Sequence, residues 1–524
     1  MPLLSSLFKT VVLASLLCIP IINSNAQQPT PTEPVSRATT AAPGNTVADL
    51  QMRISQRLAD PAVRRGNIGV KVVSLRSGTT VFEQNAEKYF MPASNMKNFT
   101  VAAALERLTP DHRFTTTAFA SERPTTDGTL KGDLYIRGTG DVSISYSFND
   151  GDNFKGIDRL VDAIAAAGVK RMEGNVVGDD SYFRGSPIPT GWEWDDLQWY
   201  YGAEVSALPI NDNAIALSVA PGQVGSVCPA KVVPFNFVIR VQNRCITTAA
   251  GTPRTLRIEK KIGQNLIEIS GELPEGNSGF NGNVTVSRPA EHFASMLKQR
   301  LAEKGITVTG QSRAITPGIP ANGAPMTEIA KIDSVPLSLI AAKTMKPSQN
   351  MFTETLLWTL GEQLRAKNGT ASANLAARSS AELGITAVKE FLKEIGIADD
   401  AVLQHDGSGL SRHNLVTPTA VTHLYVHMSK NSRFSRAWRD SLTIGGVDGT
   451  LRNRFTGTRG EGNVRGKTGT INQVSALSGY VTTAGGEELV FSVLVNGVPQ
   501  TGTRVGLIDE IVLMLANFHG KIEN

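Results

Sequence analysis

Hydrophobic positions alternate with polar ones in two separate stretches of the chain, one near each end. Residues 68–82 and residues 474–495 each contain two alternating runs joined by a Gly-containing turn. Alternation with a period of two, interrupted by such turns, predicts a β-hairpin. Apolar residues spaced three and four apart predict helices at residues 49–58, after Ser94 and at residues 505–518. The pattern predicts an α+β fold, with one antiparallel sheet built from both ends of the chain and flanked by helices.

The interval between these stretches has a different pattern. Residues 107–330 are rich in glycine and turn residues, and their apolar runs are short. The strand-like runs lie at residues 132–138, 176–181, 214–219, 235–241, 266–270 and 284–286. We interpret the interval as a large inserted β-rich region that forms two subdomains. Residues 47–106 and 331–524 would together form a single catalytic domain.

The first residues of the chain have the pattern of a targeting segment. Residues 1–26 contain a single charged side chain, Lys9, then an apolar run and the small residues Ser24-Asn25-Ala26, which is typical of a cleaved signal peptide. An uncleaved N-terminal anchor is the alternative. Residues 27–46 are rich in Pro, Thr and Ala and predict a disordered linker. We therefore expect an exported protein, periplasmic or otherwise extracytoplasmic, without a stable membrane span after cleavage.

Composition narrows the classes of function. The 524 residues include 52 Lys and Arg against 47 Asp and Glu, and the net charge of +5 is too small to indicate a nucleic-acid partner. Two cysteines follow the targeting segment, Cys228 and Cys245. An even pair in an exported protein predicts a disulfide, with two buried free thiols as the alternative.

Three short motifs carry the candidate chemistry. They are Ser94-x-x-Lys97, Ser348-x-Asn350 and Lys467-Thr468-Gly469, in that order. Ordinary residue usage gives roughly two chance S-x-x-K matches in a chain of this length, but about 0.1 chance Lys-Thr-Gly matches. Other matches to the first two motifs lack the same strand and helix context: Ser6…Lys9, Ser295…Lys298, Ser147…Asn149 and Ser372…Asn374. The ordered set therefore indicates one active site.

Ser94 and Lys97 have the spacing of a nucleophile and its base, because residues three apart on a helix lie on one face. Lysine removes a serine proton only when neutral, which requires its pKa to fall roughly three units from about 10.4. Burial and a nearby cation such as Lys467 lower a pKa in this way. Ser348 would relay a proton from the base to the leaving amine, and Asn350 would hold Lys97 and the substrate. A helix cap is the alternative for Ser94 alone.

The third motif suits the recognition of an anionic substrate end. Lys467 supplies one charge, Thr468 supplies one hydroxyl donor, and Gly469 allows the substrate backbone to approach the strand edge. The backbone N–H groups of Ser94 and Thr470 would form an oxyanion hole. For Lys467 alone, the alternative is a solubilising lysine on an edge strand.

Other candidate sites have weaker support. His405 and His413 flank Asp406-Gly407-Ser408-Gly409 without the geometry of a triad. The side chains of the adjacent pair Asp179-Asp180 would point apart, which disfavours a paired acid and base. No His/Cys/Glu cluster has metal-ligand spacing, and Gly138-x-Gly140 is too short for a dinucleotide loop. Neither a metal nor any other cofactor is expected.

Longer stretches around and beyond the motifs carry a resemblance to a known family. They are residues 92–97, 138–141, 406–412, 446–451, 491–492 and 496–497. Together with the motifs they resemble the penicillin-recognising serine acyl-transferases, most closely the low-molecular-mass class C penicillin-binding proteins, a family of D-alanyl-D-alanine carboxypeptidases and endopeptidases. The resemblance covers nearly the whole chain after residue 26. Val142 departs from it, since the family usually has proline there.

The resemblance implies a β-lactamase/transpeptidase-like fold and a serine DD-peptidase that cleaves peptidoglycan through an acyl-enzyme. Ser94 would be acylated and Lys97 would be the base. Arg412, and Asp179 from the insertion, match positions that line the pocket for a side chain of the stem peptide. The expected partners are peptidoglycan stem peptides and β-lactam antibiotics, the latter as covalent inhibitors.

Two other functions fit the same scaffold. One is a β-lactamase or esterase, but the E-x-x-x-N arrangement that class A β-lactamases use for deacylation has no match between Ser94 and Lys467. The other is a non-catalytic cell-wall binding protein. Such a protein would have no use for an intact set of Ser94, Lys97, Ser348 and Lys467.

Overall fold

The computed structural model describes residues 46–236, 238–315, 326–368 and 377–522. The expected signal peptide, the linker up to residue 45 and the Ser372…Asn374 match lie outside these residues. The helices, α1 to α10 in chain order, are Val47–Leu58, Lys97–Leu108, Lys155–Ala166, Pro289–Glu303, Leu337–Met345, Asn350–Asn368, Ser380–Glu394, Pro418–Lys430, Ser435–Ser441 and Thr501–Ala516.

The strands of the same residues are β1 to β24. In chain order they are Asn67–Ser74, Thr80–Gln84, Thr115–Ala120, Thr129–Lys131, Leu134–Gly138, Arg171–Glu173, Val176–Asp179, Ala214–Val219, Ala230–Val233, Arg240–Asn243, Ile246–Thr248, Arg257–Lys260, Leu266–Ser270, Glu272–Pro274, Phe280–Thr285, Thr307–Val308, Ser312–Ala314, Thr327–Asp333, Val402–Leu403, Leu415–Val416, Thr443–Ile444, Arg465–Ile471, Val474–Thr482 and Glu488–Asn496.

A six-stranded antiparallel sheet joins the two ends of the chain, with the strand order β2-β1-β24-β23-β22-β21. β1 and β24 pair from Asn67↔Asn496 to Ser74↔Leu489. The strand with the third motif, β22, pairs with β23 and places Lys467 opposite Ser478. The sheet has the antiparallel arrangement that the two alternating stretches of the sequence predict.

Helices cover both faces of this sheet. α1 and α10 pack on one face through a core that includes Leu50 and Ile511. α8 packs on the other face, and α2 packs against α8 in a core that includes Phe99 and Leu424; α6 lies behind α2 and extends this core away from the sheet. Each large apolar side chain that is fully buried contributes about 1.5–3 kcal/mol, so both layers hold the sheet between them. Within the described residues, no helix combines the length and the apolarity needed to cross a lipid bilayer.

The region between α2 and α5 has two further cores. The first surrounds a five-stranded mixed sheet, β17-β7-β5-β3-β18, which packs against α3 and α4. The second lies among three small sheets, β10-β13-β12, β11-β14 and β15-β8-β9. It contains Cys228 and Cys245, which form a disulfide. We propose that the insertion comprises two subdomains, one for each core.

The α+β class is confirmed, and the structure differs from the sequence expectations in detail. β18 crosses residue 330, the expected end of the insertion, and pairs with β3 up to Asp333. The strand expected at residues 235–241 begins only at Arg240. Ahead of it, the Asn236 side chain accepts the backbone N–H groups of the second and third residues that follow it, and such local bonds compete with strand pairing.

Candidate active site

The candidate nucleophile Ser94 lies in a short 3₁₀ turn, Ala93–Met96, that leads directly into α2. Residues three apart eclipse each other in such a turn, so Ser94 and Lys97 point the same way. Lys97 Nζ donates a hydrogen bond of 3.0 Å to Ser94 Oγ. Ala93 has a φ of +46°, a left-handed conformation that costs about 1–2 kcal/mol. Backbone strain of this kind concentrates at functional sites.

Lys97 is fully buried, and three oxygen atoms surround its amine. Besides the nucleophile hydroxyl, Nζ donates to Asn350 Oδ1 at 2.6 Å and to the Ser408 carbonyl at 2.7 Å. Burial lowers the pKa of Lys97 to about 7, although the Asp406 and Glu354 carboxylates act in the opposite direction. Near neutral pH a large share of these amines is therefore uncharged and able to accept the serine proton.

The carbonyl that holds Lys97 belongs to a loop that a buried carboxylate braces. Glu354 Oε2 accepts the Gly407 N–H at 2.9 Å, and Oε1 accepts the Ser408 N–H at 2.8 Å. Burial, and then the charge of neighbouring Asp406, raises the pKa of Glu354. With both carboxylate oxygens engaged by the loop backbone, Glu354 fixes the direction of the Ser408 carbonyl.

Ser348 and Asn350 lie at the junction between α5 and α6. Ser348 has a φ of +67°, a second left-handed residue at the site. Asn350 Oδ1 faces Lys97, while its Nδ2 donates to the Tyr201 carbonyl of the insertion at 2.9 Å. Ser348 Oγ accepts a hydrogen bond of 2.9 Å from Lys467 Nζ. The motif spacing predicts a proton exchange between Ser348 and Lys97, whereas the described contacts place the Ser348 hydroxyl against Lys467.

Lys467 is a second fully buried lysine, on β22. Its Nζ donates to the Thr468 carbonyl at 2.9 Å as well as to the Ser348 hydroxyl. Asn95 Nδ2 donates to the Lys467 carbonyl at 2.9 Å, which ties the strand to the nucleophile turn. Burial, together with the charge of Lys97, lowers the pKa of Lys467 well below its ordinary range. The three motifs thus converge in one site.

Gly469 allows β22 to approach the nucleophile turn closely. A Cβ at this position would lie 2.5 Å from the Pro92 carbonyl oxygen, which no side chain tolerates. Besides the approach of substrate that the sequence predicts, the glycine therefore has a packing role. Thr468 Oγ1 donates to Thr450 Oγ1 at 2.7 Å, and the next strand residue after Gly469, Thr470, is exposed.

The two remaining predicted residues lie in different surroundings. Arg412 is close to the motif strand, since its guanidinium donates to the Asn472 carbonyl at 3.2 Å and to Glu193 Oε1 at 2.9 Å. Asp179 is buried at the end of β7, where its carboxylate accepts a hydrogen bond of 2.8 Å from Arg137 Nε. The described side-chain contacts of Asp179 thus stay within the insertion.

Several polar groups at the site go beyond what the motifs indicate. They are the Glu354 carboxylate, the Asn95 amide, the Thr450 hydroxyl and the Tyr201 and Ser408 carbonyls. Backbone carbonyls leave no trace in a sequence. Glu354 does leave one, because it is a charged residue within an apolar stretch of α6 and lies one helical turn after Asn350.

Known proteins are similar to this chain in sequence and in fold. The D-Ala-D-Ala carboxypeptidase 3 (S13) family matches residues 50–517. A D-alanyl-D-alanine carboxypeptidase from an Actinomadura species is 32% identical over 496 residues, which covers 93% of this chain and 88% of the relative. The D-alanyl-D-alanine carboxypeptidase DacB of Haemophilus influenzae is 26% identical over 82% of this chain and 85% of the relative.

A solved structure extends the likeness to the fold. The crystal structure of penicillin-binding protein 4 (dacB) from Haemophilus influenzae superposes with a TM-score of 0.75 and 24% identity, covering 91% of this chain and 99% of that chain. The family match and the 32% identical relative confirm the D-alanyl-D-alanine carboxypeptidase family that the resemblance implies. The chain belongs to the D-Ala-D-Ala carboxypeptidase 3 (S13) family.

Proposed function

We propose that this protein is a serine DD-peptidase that acts on peptidoglycan stem peptides. It releases the terminal D-Ala through an acyl-enzyme on Ser94, and the same chemistry would cleave a peptide cross-link. The observation that carries the proposal is the convergence of distant segments around two buried lysines. Lys97 Nζ lies 3.0 Å from Ser94 Oγ, and Lys467 Nζ lies 2.9 Å from Ser348 Oγ. Membership of the family supports the substrate class.

Acylation starts from the neutral form of Lys97. Its amine takes the proton of the Ser94 hydroxyl while Oγ attacks the carbonyl carbon of the penultimate D-Ala. The Asn350 and Ser408 oxygens then accept the N–H groups of the new ammonium ion. A base is most effective when its pKa lies near the working pH, which agrees with the value of about 7 for Lys97.

Loss of the terminal D-Ala breaks the C–N bond and requires a proton on the leaving amine. Ser348 is the proposed donor, because its hydroxyl lies beside Lys467 and is two residues from the Asn350 amide that holds the base. Lys97 returns the proton through this hydroxyl, and in the second half of the reaction it activates the water that clears the ester.

The oxyanion of the tetrahedral intermediate needs hydrogen-bond donors. We assign this role to the backbone N–H groups of Ser94 and Thr470. The close packing at Gly469 supports the assignment, since a Cβ there would lie 3.1 Å from the Ser94 nitrogen itself. A donor of this kind contributes about 3 kcal/mol in comparable enzymes.

Lys467 and Thr468 are the proposed site for the terminal carboxylate of the substrate. Burial and the charge of Lys97 disfavour a charged Lys467, and a bound carboxylate supplies the missing opposite charge. Arg412 would contact the third residue of the stem, because its side chain is 30% exposed beside the motif strand. Asp179 would contribute to the same pocket from the insertion.

Peptidoglycan lies outside the cytoplasm, and two features of the chain are typical of an exported protein. Its N-terminal pattern is that of a signal peptide, and the Cys228–Cys245 disulfide is typical of an oxidising compartment. We therefore propose a periplasmic or other extracytoplasmic location.

Labelled penicillin tests the proposal. We expect a long-lived covalent adduct on Ser94, located by mass spectrometry and lost in Ser94→Ala. Rapid turnover of the penicillin would instead indicate a β-lactamase, and a chain without an adduct would be a binding protein. Products from cross-linked and uncross-linked muropeptides, identified by mass, distinguish endopeptidase from carboxypeptidase action.

A further inference from the structure

The middle residue of the second motif, Gln349, has no part in the chemistry described above. Its side chain is buried, and its Nε2 donates a hydrogen bond of 3.0 Å to Asp212 Oδ2, which belongs to the insertion. The Gln349 Oε1 atom has no hydrogen-bond partner among the described residues. Within this part of the chain, Asp212 is therefore the group that holds the Gln349 amide.

Asp212 is the centre of three consecutive left-handed residues. Asn211, Asp212 and Asn213 have φ values of +47°, +60° and +51°. This conformation is unfavourable for residues with a Cβ, and such strain concentrates at functional sites. The insertion backbone binds both flanking amides, since Asn211 Nδ2 donates to the Asn153 carbonyl at 3.0 Å and Asn213 Nδ2 donates to the Glu204 carbonyl at 2.9 Å. The insertion thus fixes the position from which Asp212 reaches Gln349.

The Asp212 carboxylate is buried without an ion pair among the described residues. Its Oδ1 accepts the Ser145 hydroxyl at 2.6 Å. Burial raises the pKa of Asp212, although hydrogen bonds from Ser145, Gln349 and Tyr146 and the charge of Lys343 act in the opposite direction. Because a buried carboxyl group is costly even when it is hydrogen-bonded, stability alone does not account for Asp212.

The two neighbours of Gln349 are the motif residues that contact the buried lysines. Ser348 Oγ accepts from Lys467 Nζ, and Asn350 Oδ1 accepts from Lys97 Nζ. Three successive side chains of the motif are therefore bonded to three separate segments, which are β22, the insertion and α2. Since Gln349 lies between the other two, a shift of its side chain is passed to both of them through the backbone.

We propose that Asp212 is a positioning residue for acylation, which aligns Ser348 and Asn350 through its bond to Gln349. The inference rests on the proposed function and extends the machinery of that site into the insertion. Small displacements of the groups around a reacting centre cost large factors in rate. Loss of the bond should therefore slow acylation, while Lys467 and Thr468 still bind the carboxylate of the ligand.

Acylation of the full chain by labelled penicillin, measured over a range of concentrations, tests the role of Asp212. Asp212→Ala is expected to lower the rate at saturation about tenfold and to change the half-saturating concentration less than about threefold. Asp212→Asn is expected to retain most of the rate, because its new NH₂ group can donate to Gln349 Oε1 once that amide has turned over. Rescue by this conservative variant distinguishes a positioning bond from a requirement for charge.

An exchange of the two partners tests the bond itself. Gln349→Glu places two carboxylates against each other and is expected to slow acylation more than Asp212→Ala does. Asp212→Asn combined with Gln349→Glu restores one donor and one carboxylate, and is expected to acylate about tenfold faster than Gln349→Glu alone. A combined variant that is no faster than Gln349→Glu would overturn the positioning role.

A buried amide elsewhere in the insertion provides the control. Asn265 Nδ2 donates to the Ser287 carbonyl at 2.9 Å, and Asn265 Oδ1 accepts the Ser287 N–H at 2.7 Å. Asn265→Ala is expected to lower thermal stability and to leave the rate of acylation at saturation unchanged. If it slows acylation as much as Asp212→Ala, the effect is general destabilisation of the insertion and Asp212 has no positioning role.

The same measurement separates this inference from the proposed function. An adduct on Ser94 that forms at equal rates in the parent chain and in Asp212→Ala removes the positioning role alone. Absence of an adduct in the parent chain removes the proposed function.

Discussion

Two lysines with the same burial have different surroundings in this site. Lys97 and Lys467 are both inaccessible to solvent. Lys97 donates to three oxygen atoms and has the carboxylates of Glu354 and Asp406 behind it. Lys467 donates to two neutral oxygen atoms, and Lys97 is the charge that acts on its pKa. Burial lowers the pKa of both, but only Lys97 has nearby negative charge to limit the decrease.

The difference separates two chemical roles. Burial lowers the pKa of Lys97 to about 7 while the carboxylates behind it limit the decrease, and an amine with this pKa exchanges protons readily near neutral pH. Lys467 bonds to no carboxylate among the described residues, so a substrate carboxylate would be its first opposite charge. In this interpretation Lys97 acts as the base and Lys467 as the receptor for the anionic end.

Removal of the base should have the largest effect. Lys97→Ala is expected to slow acylation by labelled penicillin about a thousandfold, the usual contribution of a general base. In the parent chain the rate should rise as pH increases through about 7, because the neutral amine is the reactive form and a group above its pKa has lost its proton. This rise should vanish in Lys97→Ala, while circular dichroism shows a folded chain. A variant that keeps the rise would assign the base elsewhere.

Removal of Lys467, the proposed receptor for the substrate carboxylate, should have a smaller effect on the reaction, and the size of that effect should depend on the substrate. Lys467→Ala is expected to lower kcat/KM about 10- to 100-fold for a peptide with a free terminal carboxylate, the range of a hydrogen bond between charged groups. The matched substrate is the same peptide with a terminal amide, which offers no negative charge and should lose much less. Equal losses for the two peptides would show that Lys467 does not recognise the carboxylate.

The sequence predicts the parts of the site that leave a local pattern, and it does not predict contacts between residues that are far apart in the chain. The hairpins of the central sheet follow from local alternation, and the Lys-Thr-Gly run is rare enough to stand out in β22. The bond between Glu354 and Gly407 joins residues 53 positions apart, and no local pattern encodes it. The motifs therefore identify Lys97, but not the carboxylate that fixes the loop around it.

The helices of the insertion show a second limit of prediction from the sequence. α3 carries buried residues at helical spacing (Ile157, Leu160 and Ile164), a signal that a search for alternating runs passes over. α4 is buried around much of its circumference, including His292, Phe293 and Met296, so its amphipathic pattern is weak. Division of the insertion into two subdomains stays a prediction.

The Glu354 carboxylate, which lies behind Lys97, provides the next test of the difference between Lys97 and Lys467. Glu354→Gln places an NH₂ group against a backbone N–H of the loop and removes the negative charge that Glu354 carries when it is ionised. Acylation is expected to fall about tenfold through misalignment of the base. The rise of the rate with pH should also move to lower pH, since a negative charge near an amine raises its pKa and its removal lowers it.

A matched variant on the same helix separates this effect from a loss of stability. Glu362 is also buried on α6, but it bonds to Arg365 and Ser380. Glu362→Gln should reduce thermal stability without moving the dependence of acylation on pH. If the two variants move it equally, the influence of Glu354 on Lys97 is general destabilisation of the helix.

The smallest expected effect lies on the Lys467 side. Thr450→Val removes the acceptor of the Thr468 hydroxyl while keeping the side-chain volume, so that hydroxyl loses its fixed direction. KM for the carboxylate-terminated peptide is expected to rise about threefold, the value of one neutral hydrogen bond, and the rise of acylation with pH should stay in place. Thr458→Val, another exposed threonine before β22, should change neither quantity. If Thr450→Val moved the pH at which the acylation rate rises, a neutral change beside Lys467 would have altered the proton affinity of Lys97. The two lysines would then be electrostatically inseparable.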